Sequence, residues 1–293
     1  MRAVQYSRFG DPEVLGVAEA NQPHAGVGQV RILVRAAGVN LFDCKERSGM
    51  FGGEDFPRTP GLEASGIVDE VGDGVTEFAI GDAVFGLGSA TNAEFAVLDH
   101  YAHKPDALSW PAAAGVATTA EAALRSLELL GLAAGQTLLI DGAAGGVGHA
   151  AAQFAIADGL TVIGTARESK HDALRALGAH PTTYGPGLAG RVDRPVDGAL
   201  DTAGHGSIRE LAELTGDPGR VVTIADFSGA VPGVQLTTTP SAFHALDQAS
   251  RLAEAGRYSV DVDSAYPLES AAAAHARCEA GRLSGKVVFV VSA

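Results

Sequence analysis

The sequence predicts an α/β fold in two parts: a doubly wound parallel sheet with helices on both faces, and a smaller, mostly β domain. Strand and helix patterns alternate from Thr137 onward, as they do in chains that make parallel β–α–β crossovers. A glycine cluster, GAAGGVG (142–148), separates the first of these strands from the helix pattern after it. Short apolar runs between glycines fill residues 60–103, which is typical of a small antiparallel barrel or sandwich.

Composition and charge exclude several classes of protein. The chain has 293 residues, 46% hydrophobic and 19% charged, which favours packed globular domains over disorder. The net charge is −14 and no Lys/Arg cluster occurs, so nucleic-acid binding is not expected. No apolar run is long enough for a membrane span, and the first residues lack the apolar core of a signal peptide. With only Cys44 and Cys278, a disulfide framework is not expected, and we predict a cytoplasmic protein.

The N-terminal part contains mainly strand patterns. An alternating pattern within residues 1–10 predicts a strand, and residues 30–40 predict a longer one that ends at a turn. The segment 42–51 predicts a short helix. From Pro111 the pattern becomes helical, with leucines at 124, 127 and 130. We therefore expect a mostly β catalytic domain from residues 1–112 and 258–293, and a nucleotide-binding domain from residues 113–257.

The second part repeats strand and helix in turn. Residues 138–140 and 161–166 predict two strands around a helix, and a further helix follows with Ser169 and Asp172 as a capping box and Gly178 as its end. Later strands are predicted within 196–204 and 220–227, and helices within 208–216, 243–257 and 266–281. The apolar strand at 285–291 could complete the sheet of the first domain.

The glycine cluster predicts a dinucleotide site. Glycines let the backbone turn sharply and let a phosphate approach the amide N–H groups, and the helix that follows directs its positive end at a pyrophosphate. The strand–turn–helix–strand order is that of a Rossmann domain. Position 144 is Ala, which departs from the usual GxGxxG order. The candidate cofactor-binding residues in the turn are Gly145, Gly146, Val147 and Gly148.

The end of the second strand favours NADPH. NAD-binding chains usually carry Asp or Glu here to hold the ribose 2′-hydroxyl, but this chain has Thr165. Arg167 and Lys170 follow and could pair with a 2′-phosphate, although Glu168 between them weakens the case. The alternative for both cations is a solvated helix start.

Several motifs together resemble a known family. They are AAGVN (36–40), PGLEASGIVDEVGDGV (60–75), GDAVFG (81–86), AAGGVG followed by Gln153, ALDTAG (199–204) and GKVVF (285–289). In this order they resemble the medium-chain dehydrogenase/reductase superfamily, in its zinc-free NADPH:quinone oxidoreductase branch. The resemblance implies a GroES-like barrel built from both chain ends, a Rossmann domain inserted between them, and nicotinamide in the cleft.

The residues at the zinc positions of that superfamily are not ligands. Its zinc alcohol dehydrogenases have Cys where this chain has Asn40, His where it has Leu62, and a third ligand near Ala114. A catalytic zinc site needs three protein ligands with N, S or O donors. His100 and His103 form an HxxH pair without a third ligand nearby in the sequence, so we expect surface or loop histidines and no metal.

The resemblance also assigns candidate site residues. Asn40 and Thr119 match positions that line the nicotinamide pocket, where Asn40 would bond to the nicotinamide ribose or the substrate; otherwise it is a turn residue. Lys45 lies in the segment where relatives carry a Tyr, and it is either an acid, an anchor for an acidic substrate, or a solvated lysine. Tyr184 matches a residue beside the adenine or is a loop aromatic. Further cofactor candidates are Ala203, Ile224 and Ala225.

These residues predict hydride transfer from NADPH to a quinone or another α,β-unsaturated carbonyl compound, without metal. One alternative is reduction of an enoyl thioester or alkenal in a biosynthetic pathway. An alternative of another class is a nucleotide-binding scaffold without catalysis. The segment VPGVQL (231–236) could supply an edge strand for a homodimer.

Overall fold

The computed structural model describes residues 1–53, 55–237 and 240–291 and divides the chain into two compact units. The first unit contains Met1–Thr118 and Leu246–Ala293, and the second contains Thr119–Ala245. The sequence patterns predict domain boundaries after residues 112 and 257.

The elements alternate as the sequence patterns indicate. Within the described residues the strands are β1 (Arg2–Gln5), β2 (Gly16–Glu19), β3 (Val30–Val39), β4 (Glu63–Val71), β5 (Ala83–Ser89), β6 (Phe95–His103), β7 (Thr137–Asp141), β8 (Thr161–Thr165), β9 (His180–Thr182), β10 (Gly198–Asp201), β11 (Val221–Thr223), β12 (Gln235–Leu236), β13 (Val262–Tyr266) and β14 (Lys286–Val290). The α-helices are α1 (Leu41–Arg47), α2 (Trp110–Ala113), α3 (Ala117–Leu130), α4 (Gly146–Ala157), α5 (His171–Leu177), α6 (Ile208–Thr215), α7 (Ala245–Glu254) and α8 (Ala271–Glu279).

The first unit is built on a sheet that closes on itself. Its strand order is β13-β14-β3-β4-β5-β6, and β3 also pairs with β6. Strand β3 is long enough for both partners, because residues 30–33 pair with β6 and residues 36–39 pair with β14. Closure of the sheet removes unpaired edges at this point. The predicted GroES-like barrel is confirmed.

The C-terminal strand belongs to this first unit. Val287 pairs with Val39 and Phe289 with Ala37, in antiparallel register. Val39, Ala37, Val287 and Phe289 lie on one face of this pairing, and all four are buried. The prediction that residues 285–291 complete the first sheet is therefore confirmed.

The second unit contains a sheet of parallel strands in the order β12-β11-β10-β7-β8-β9. The chain runs outward from β7 through β8 to β9, then returns to the other side of β7 and continues through β10, β11 and β12. Reversal of direction beside the first strand defines a doubly wound Rossmann sheet, in which ligands bind outside the carboxyl ends of the strands. The predicted Rossmann sheet is confirmed.

The helices differ from the sequence patterns mainly at their starts. Helix α5 begins at His171, after a 3₁₀ turn at Glu168–Lys170. Its N-cap residue is Lys170, and no side-chain hydrogen bond caps the helix. The predicted capping box of Ser169 and Asp172 is therefore wrong. Ser169 lies inside the 3₁₀ turn and therefore cannot occupy the cap position. Gly178 ends the helix as predicted, with a left-handed φ of 96°. Within the described ranges, no helix has both the length and the apolar character that a membrane crossing requires.

Candidate functional site

The glycine turn connects β7 to α4 in a conformation that needs glycine at two positions. Gly142 has a φ of +88°, and a Cβ atom there would lie 2.7 Å from the Thr202 hydroxyl. A Cβ atom at Gly148 would collide with the carbonyl oxygen of Gly142, because the first turn of α4 passes directly over that peptide. The turn therefore closes tightly against its own helix.

The N-terminus of α4 is open to solvent. Gly145 is the N-cap residue, and both Gly145 and Gly146 are exposed. The first N–H groups of a helix have no acceptor inside the helix, and they carry the positive end of its dipole. Because both glycines are exposed at this helix start, the turn fits a pyrophosphate group.

The other predicted cofactor residues lie at the same edge of the sheet as this turn. Thr165 is the last residue of β8, and Tyr184 follows β9 by two residues. Ala203 follows β10, and Ile224 and Ala225 follow β11. Because parallel strands end at one edge, the fold brings these residues together with the glycine turn.

Two buried carboxylates tie these loops together. Asp141 and Asp201 end neighbouring strands and are opposite each other in the sheet register. Asp141 accepts hydrogen bonds from the hydroxyls of Thr165 and Ser207, the latter at 2.5 Å. Asp201 accepts a bond from the Thr223 hydroxyl at 2.7 Å. The side chain of Thr165 is thus completely buried and holds the turn together, so it is not presented to a nucleotide.

The cations after β8 are placed differently from Thr165. Arg167 is exposed and Lys170 is half-buried, at the two ends of the short 3₁₀ turn. Tyr184 is 50% exposed, and its ring centroid lies 6.4 Å from that of His205. These side chains are available at the surface of the second unit.

A polar cluster lies in the first unit, where three neighbouring strands begin or end. We use "polar cluster" for Asn40, Glu63, Thr118 and Lys286. Asn40 follows β3, Lys286 begins β14 and Glu63 begins β4. The register places Asn40 beside Lys286, because Val39 pairs with Val287, and Gly38 beside Glu63, because Ala37 pairs with Ala64.

The polar cluster is connected by five hydrogen bonds. The Lys286 ammonium donates to Asn40 Oδ1 at 2.5 Å and to Glu63 Oε1 at 2.7 Å. Asn40 Nδ2 donates to Glu63 Oε1 at 3.0 Å. Thr118 donates its hydroxyl to Asn40 Oδ1 at 3.3 Å and its backbone N–H to Glu63 Oε2 at 2.9 Å. Glu63 is fully buried and Lys286 is 7% exposed, so this ion pair is shielded from water.

Two glycines make room for the buried ion pair. A Cβ atom at Gly38 would lie 2.5 Å from Glu63 Oε1. A Cβ atom at Gly115 would lie 2.7 Å from Lys286 Cγ. Neither glycine has a positive φ, so it is the close approach of the charged side chains that requires glycine here.

Helix α1 carries the polar network further into the first unit. Asn40 is its N-cap residue, and the Asp43 carboxylate accepts the backbone N–H of Asn40 at 2.7 Å. Asp43 is fully buried, and this burial raises its pKa to about 7, although the Asn40 N–H and the Lys286 charge act in the opposite direction. Asp43 therefore holds a proton near neutral pH more readily than an ordinary carboxyl group.

Helix α1 packs against α8 through buried polar side chains. Cys44 Sγ lies 3.6 Å from His275 Nδ1, and the Arg47 guanidinium pairs with Glu279. Burial lowers the pKa of His275 to about 4, and the nearby Arg47 charge adds to the effect. A hydrogen bond to Cys278 and burial both raise the pKa of the Cys44 thiol. His275 is thus a neutral core residue, and Cys44 is a thiol.

The outer face of α1 and the loop after it carry an apolar patch, defined here as Leu41, Phe42, Met50 and Phe51. These side chains are between 45% and 63% exposed. The rings of Phe42 and Phe51 stack with centroids 5.0 Å apart. Lys45 lies on the same helix and is exposed. This patch was not predicted from the sequence, although it begins immediately after Asn40.

Three members of the polar cluster were not predicted from the sequence, and Glu63 was noted only within the PGLEASGIVDEVGDGV motif. Lys286 was noted only within the GKVVF motif, and the hydroxyl that bonds to Asn40 is that of Thr118, the residue before the predicted Thr119. Thr119 itself is buried, whereas Thr118 is half-buried. The only sequence signal for the ion pair is the pair of glycines, Gly38 and Gly115, at positions that the strand and helix patterns do not require.

The former zinc positions do not assemble a metal site in the part of the chain that the structure describes. The side-chain amide of Asn40 is hydrogen-bonded to Glu63 and Lys286 of the polar cluster. Over residues 1–53, 55–237 and 240–291, no three side chains of His, Cys, Asp or Glu are arranged to hold a metal ion.

Comparison with protein families matches two stretches of the chain. The family described as "Alcohol dehydrogenase GroES-like domain" matches residues 26–126. The family described as "Zinc-binding dehydrogenase" matches residues 177–289.

Individual relatives extend the similarity to the full chain. A quinone oxidoreductase of Pseudomonas aeruginosa is 30% identical over 325 aligned residues, which cover 99% of this chain and 99% of that protein. The structure of the quinone oxidoreductase from Coxiella burnetii has 28% identity and a TM-score of 0.87, covering 100% of this chain and 99% of that one. Erythronolide synthase EryA2 of Saccharopolyspora erythraea is 40% identical over 209 residues, which cover 69% of this chain but 5% of that protein. The chain therefore belongs to the medium-chain dehydrogenase/reductase superfamily, in its zinc-free quinone oxidoreductase branch, and is an NAD(P)-dependent oxidoreductase.

Proposed function

We propose that this chain reduces a quinone or another α,β-unsaturated carbonyl compound with NADPH, without a metal. The observation that carries the proposal is the similarity to a quinone oxidoreductase over 99% of both chains. It is supported by the glycine turn, whose exposed Gly145 and Gly146 leave the start of α4 open to a pyrophosphate.

The choice of NADPH over NADH rests on the residues after β8. The position that usually carries an acid is Thr165, and its hydroxyl is committed to Asp141. Arg167 is exposed just beyond it and Lys170 follows, so the loop offers two cations after the strand end, with Glu168 between them. A 2′-phosphate would be stabilised by the Arg fork and the Lys charge, whereas a 2′-hydroxyl would gain little from them.

The bound cofactor supplies the hydride, and the protein supplies orientation. Conversion of a quinone to a hydroquinone consumes one hydride and one proton, and the proton comes from water. The acceptor needs no Lewis acid, because its developing negative charge is delocalised over the conjugated carbonyl system. Asn40 holds the nicotinamide ribose or the acceptor by a hydrogen bond. Thr119 is a further candidate for the nicotinamide, and Lys45 is available on the exposed side of α1 to anchor an acidic acceptor.

The remaining cofactor contacts follow the carboxyl edge of the Rossmann sheet. Val147 and Gly148 continue the turn into α4, and Tyr184 provides an exposed ring for the adenine. Ala203, Ile224 and Ala225 would contact the dinucleotide from the loops after β10 and β11.

Reduction of an enoyl thioester or alkenal is the second candidate. It is favoured by the 40% identity to erythronolide synthase EryA2 over 69% of this chain. The two candidates differ in the acceptor and share the cofactor, so they are separated by measuring acceptors side by side.

The proposal is tested by steady-state oxidation of NADPH with a quinone, an enal and a crotonyl thioester, with NADH in parallel. We expect the quinone to give the highest kcat/KM, and a thioester above the quinone would favour the second candidate. Binding of NADPH without turnover of any acceptor would instead favour a nucleotide-binding scaffold.

The cofactor preference is tested with the double variant Arg167→Ala, Lys170→Ala. We expect KM for NADPH to rise about tenfold or more while KM for NADH changes little, because charge-assisted bonds to a phosphate are lost. Arg175→Ala is the matched control, since Arg175 is an exposed cation that pairs with Asp172 in the next helix. Equal effects on both cofactors would contradict the 2′-phosphate assignment.

We also propose that the protein is a cytoplasmic homodimer. Strand β12 lies at the edge of the Rossmann sheet and carries the exposed Leu236, which suits pairing with a second copy. Both cysteines are free thiols, as expected in a reducing compartment. Light scattering at micromolar concentration should give twice the chain mass, and a single-chain mass would contradict the dimer.

A further inference from the structure

The Asn40 side chain has only one amide orientation that its neighbours allow. A lysine ammonium is a donor with no acceptor, and an ionised carboxylate is an acceptor with no donor. Lys286 Nζ faces one end of the amide at 2.5 Å, so that end must be the oxygen. Glu63 Oε1 faces the other end at 3.0 Å, so that end must be the nitrogen.

This orientation determines which hydrogen-bonding group of the Asn40 amide remains for a ligand. Oδ1 already accepts bonds from Lys286 and from the Thr118 hydroxyl. Among the described residues, Nδ2 donates to Glu63 alone, and Asn40 is only half-buried. The hydrogen that remains on Nδ2 is therefore a donor, and an amide turned by 180° would present an acceptor instead.

We propose that Lys286 is a positioning residue which fixes Asn40 so that it presents an N–H donor to an acceptor oxygen of the bound ligand. The acceptor is an oxygen of the nicotinamide ribose or the carbonyl oxygen of the substrate. The inference rests on the proposed function, because it assigns a geometry to the residue that the function places at the ligand.

The surrounding chain is shaped to keep this ion pair. Gly38 and Gly115 provide the space that the Glu63 carboxylate and the Lys286 stem occupy. A buried ion pair is seldom the most stabilising way to fill such a space, since desolvation of the two charges offsets much of their attraction. Fixing the orientation of a neighbouring amide gives the pair a role that an apolar pair of the same size could not perform.

The test must separate orientation from stability. Lys286→Met alone leaves Glu63 buried without a countercharge, which is expected to destabilise the protein. The informative variant is therefore the double one, Lys286→Met with Glu63→Gln, which removes both charges. A Gln amide can face Asn40 with either its oxygen or its nitrogen, so the double variant no longer dictates the orientation of Asn40.

We expect the double variant to keep a Tm close to that of the unchanged protein and to lose about tenfold or more in kcat/KM, the worth of one well-placed hydrogen bond. A rise in the Kd of NADPH, measured by fluorescence, would assign the acceptor to the ribose. A rise in acceptor KM or a fall in kcat with unchanged NADPH binding would assign it to the substrate.

Lys286→Arg is the conservative variant, because Arg is also a donor with no acceptor. It should recover part of the activity that the double variant loses. The control is Arg31→Met with Asp69→Asn, which removes another ion pair of the first unit, from near the opposite end of β3, and should leave kinetics unchanged.

The positioning role is overturned if the double variant folds and matches the unchanged protein in kcat/KM for every acceptor. It is also overturned if Lys286→Arg is no more active than the double variant. Failure of the unchanged protein to oxidise NADPH with any acceptor would be a different result, and it would contradict the proposed function itself.

Discussion

Gly38 lies beside Glu63 in the pairing of β3 with β4, and a Cβ atom at position 38 would stand 2.5 Å from the Glu63 carboxylate. The same atom would approach the carbonyl oxygen of Ala114 at 2.8 Å, so the backbone limits any escape of the carboxylate. The smallest substitution at this position thus presses directly on the buried ion pair.

We expect Gly38→Ala to lower the free energy of unfolding by about 1–3 kcal/mol, the usual cost of overpacking a well-filled site. Gly16→Ala is the control, because Gly16 lies in a strand with no atom within 4 Å of a new Cβ. Chemical denaturation of both variants checks the prediction. Equal stability of the two variants would show that the polar cluster can accommodate the added methyl group without cost.

Gly148→Ala should weaken dinucleotide binding. The new Cβ would collide with the Gly142 carbonyl, so the start of α4 must move away from the turn that we propose binds the pyrophosphate. We expect the Kd for NADPH to rise about tenfold or more, measured by fluorescence titration. Gly190→Ala serves as the control, since Gly190 has open space around it. A Kd within twofold of the control would count against this role for the turn.

The apolar patch should contribute to binding of the acceptor. Phe51→Ala removes one of two stacked, exposed rings next to the candidate site, and an aromatic pair is worth about 0.5–1.5 kcal/mol beyond its buried area. We expect KM for an aromatic quinone to rise several-fold with unchanged Kd for NADPH. Ile80→Ala, another exposed apolar residue, should change neither constant. A change confined to NADPH binding would contradict this assignment.

His275 should make the protein sensitive to acid. Its pKa in the folded protein is about 4, against 6.5 for an ordinary histidine, so the unfolded chain binds more protons between these pH values. Stability should therefore fall as the pH drops from 6.5 to 4, by at most about 3 kcal/mol from this residue. His275→Asn should flatten that part of the stability–pH curve, and His180→Asn, at an exposed site, should not. Parallel curves for all three proteins would refute the assignment.

Asp43 should act in the opposite direction. Its pKa is about 7 in the folded protein and 3.8 ordinarily, so its contribution to stability is complete below pH 4 and is lost as the pH rises to 7. Asp43→Asn cannot ionise and still offers an oxygen to the Asn40 N–H. Its Tm relative to the unchanged protein should rise between pH 4 and 7 and then level off, whereas exposed Asp247→Asn should show no such trend. A difference that does not vary with pH would disprove the prediction.

The sequence predicted the second unit more fully than the first. Hydrophobic periodicity and the glycine turn determine β7, α4 and β8 locally, and the chain order then determines a parallel sheet. The candidates in the glycine turn followed from this strand–turn–helix order, whereas Tyr184 was assigned by the family resemblance. The capping box failed because a 3₁₀ turn and a cap use the same residue types, and only the backbone conformation at Ser169 distinguishes them.

The polar cluster could not be predicted in the same way. Lys286 and Asn40 are separated by nearly the whole chain, and only the pairing of Val39 with Val287 makes them neighbours. A lysine at the start of a strand is normally solvated, so nothing local marks Lys286 as buried. The apolar patch escaped notice for a similar reason, since Phe42 and Phe51 belong to a helix and a loop whose exposure depends on how α1 packs.

The pairing of β14 with β3 has a consequence for synthesis on the ribosome. The stretch 119–245 leaves the exit tunnel with every strand of its own sheet, and it can fold before translation ends. The barrel cannot, because half of β3 pairs only with β4 and lacks a partner on its other edge until Lys286–Val290 emerges, almost 250 residues after β3 itself. Until then Asn40 and Glu63 lack Lys286. The nascent polypeptide therefore contains a second unit whose sheet is complete and a first unit whose barrel is still open.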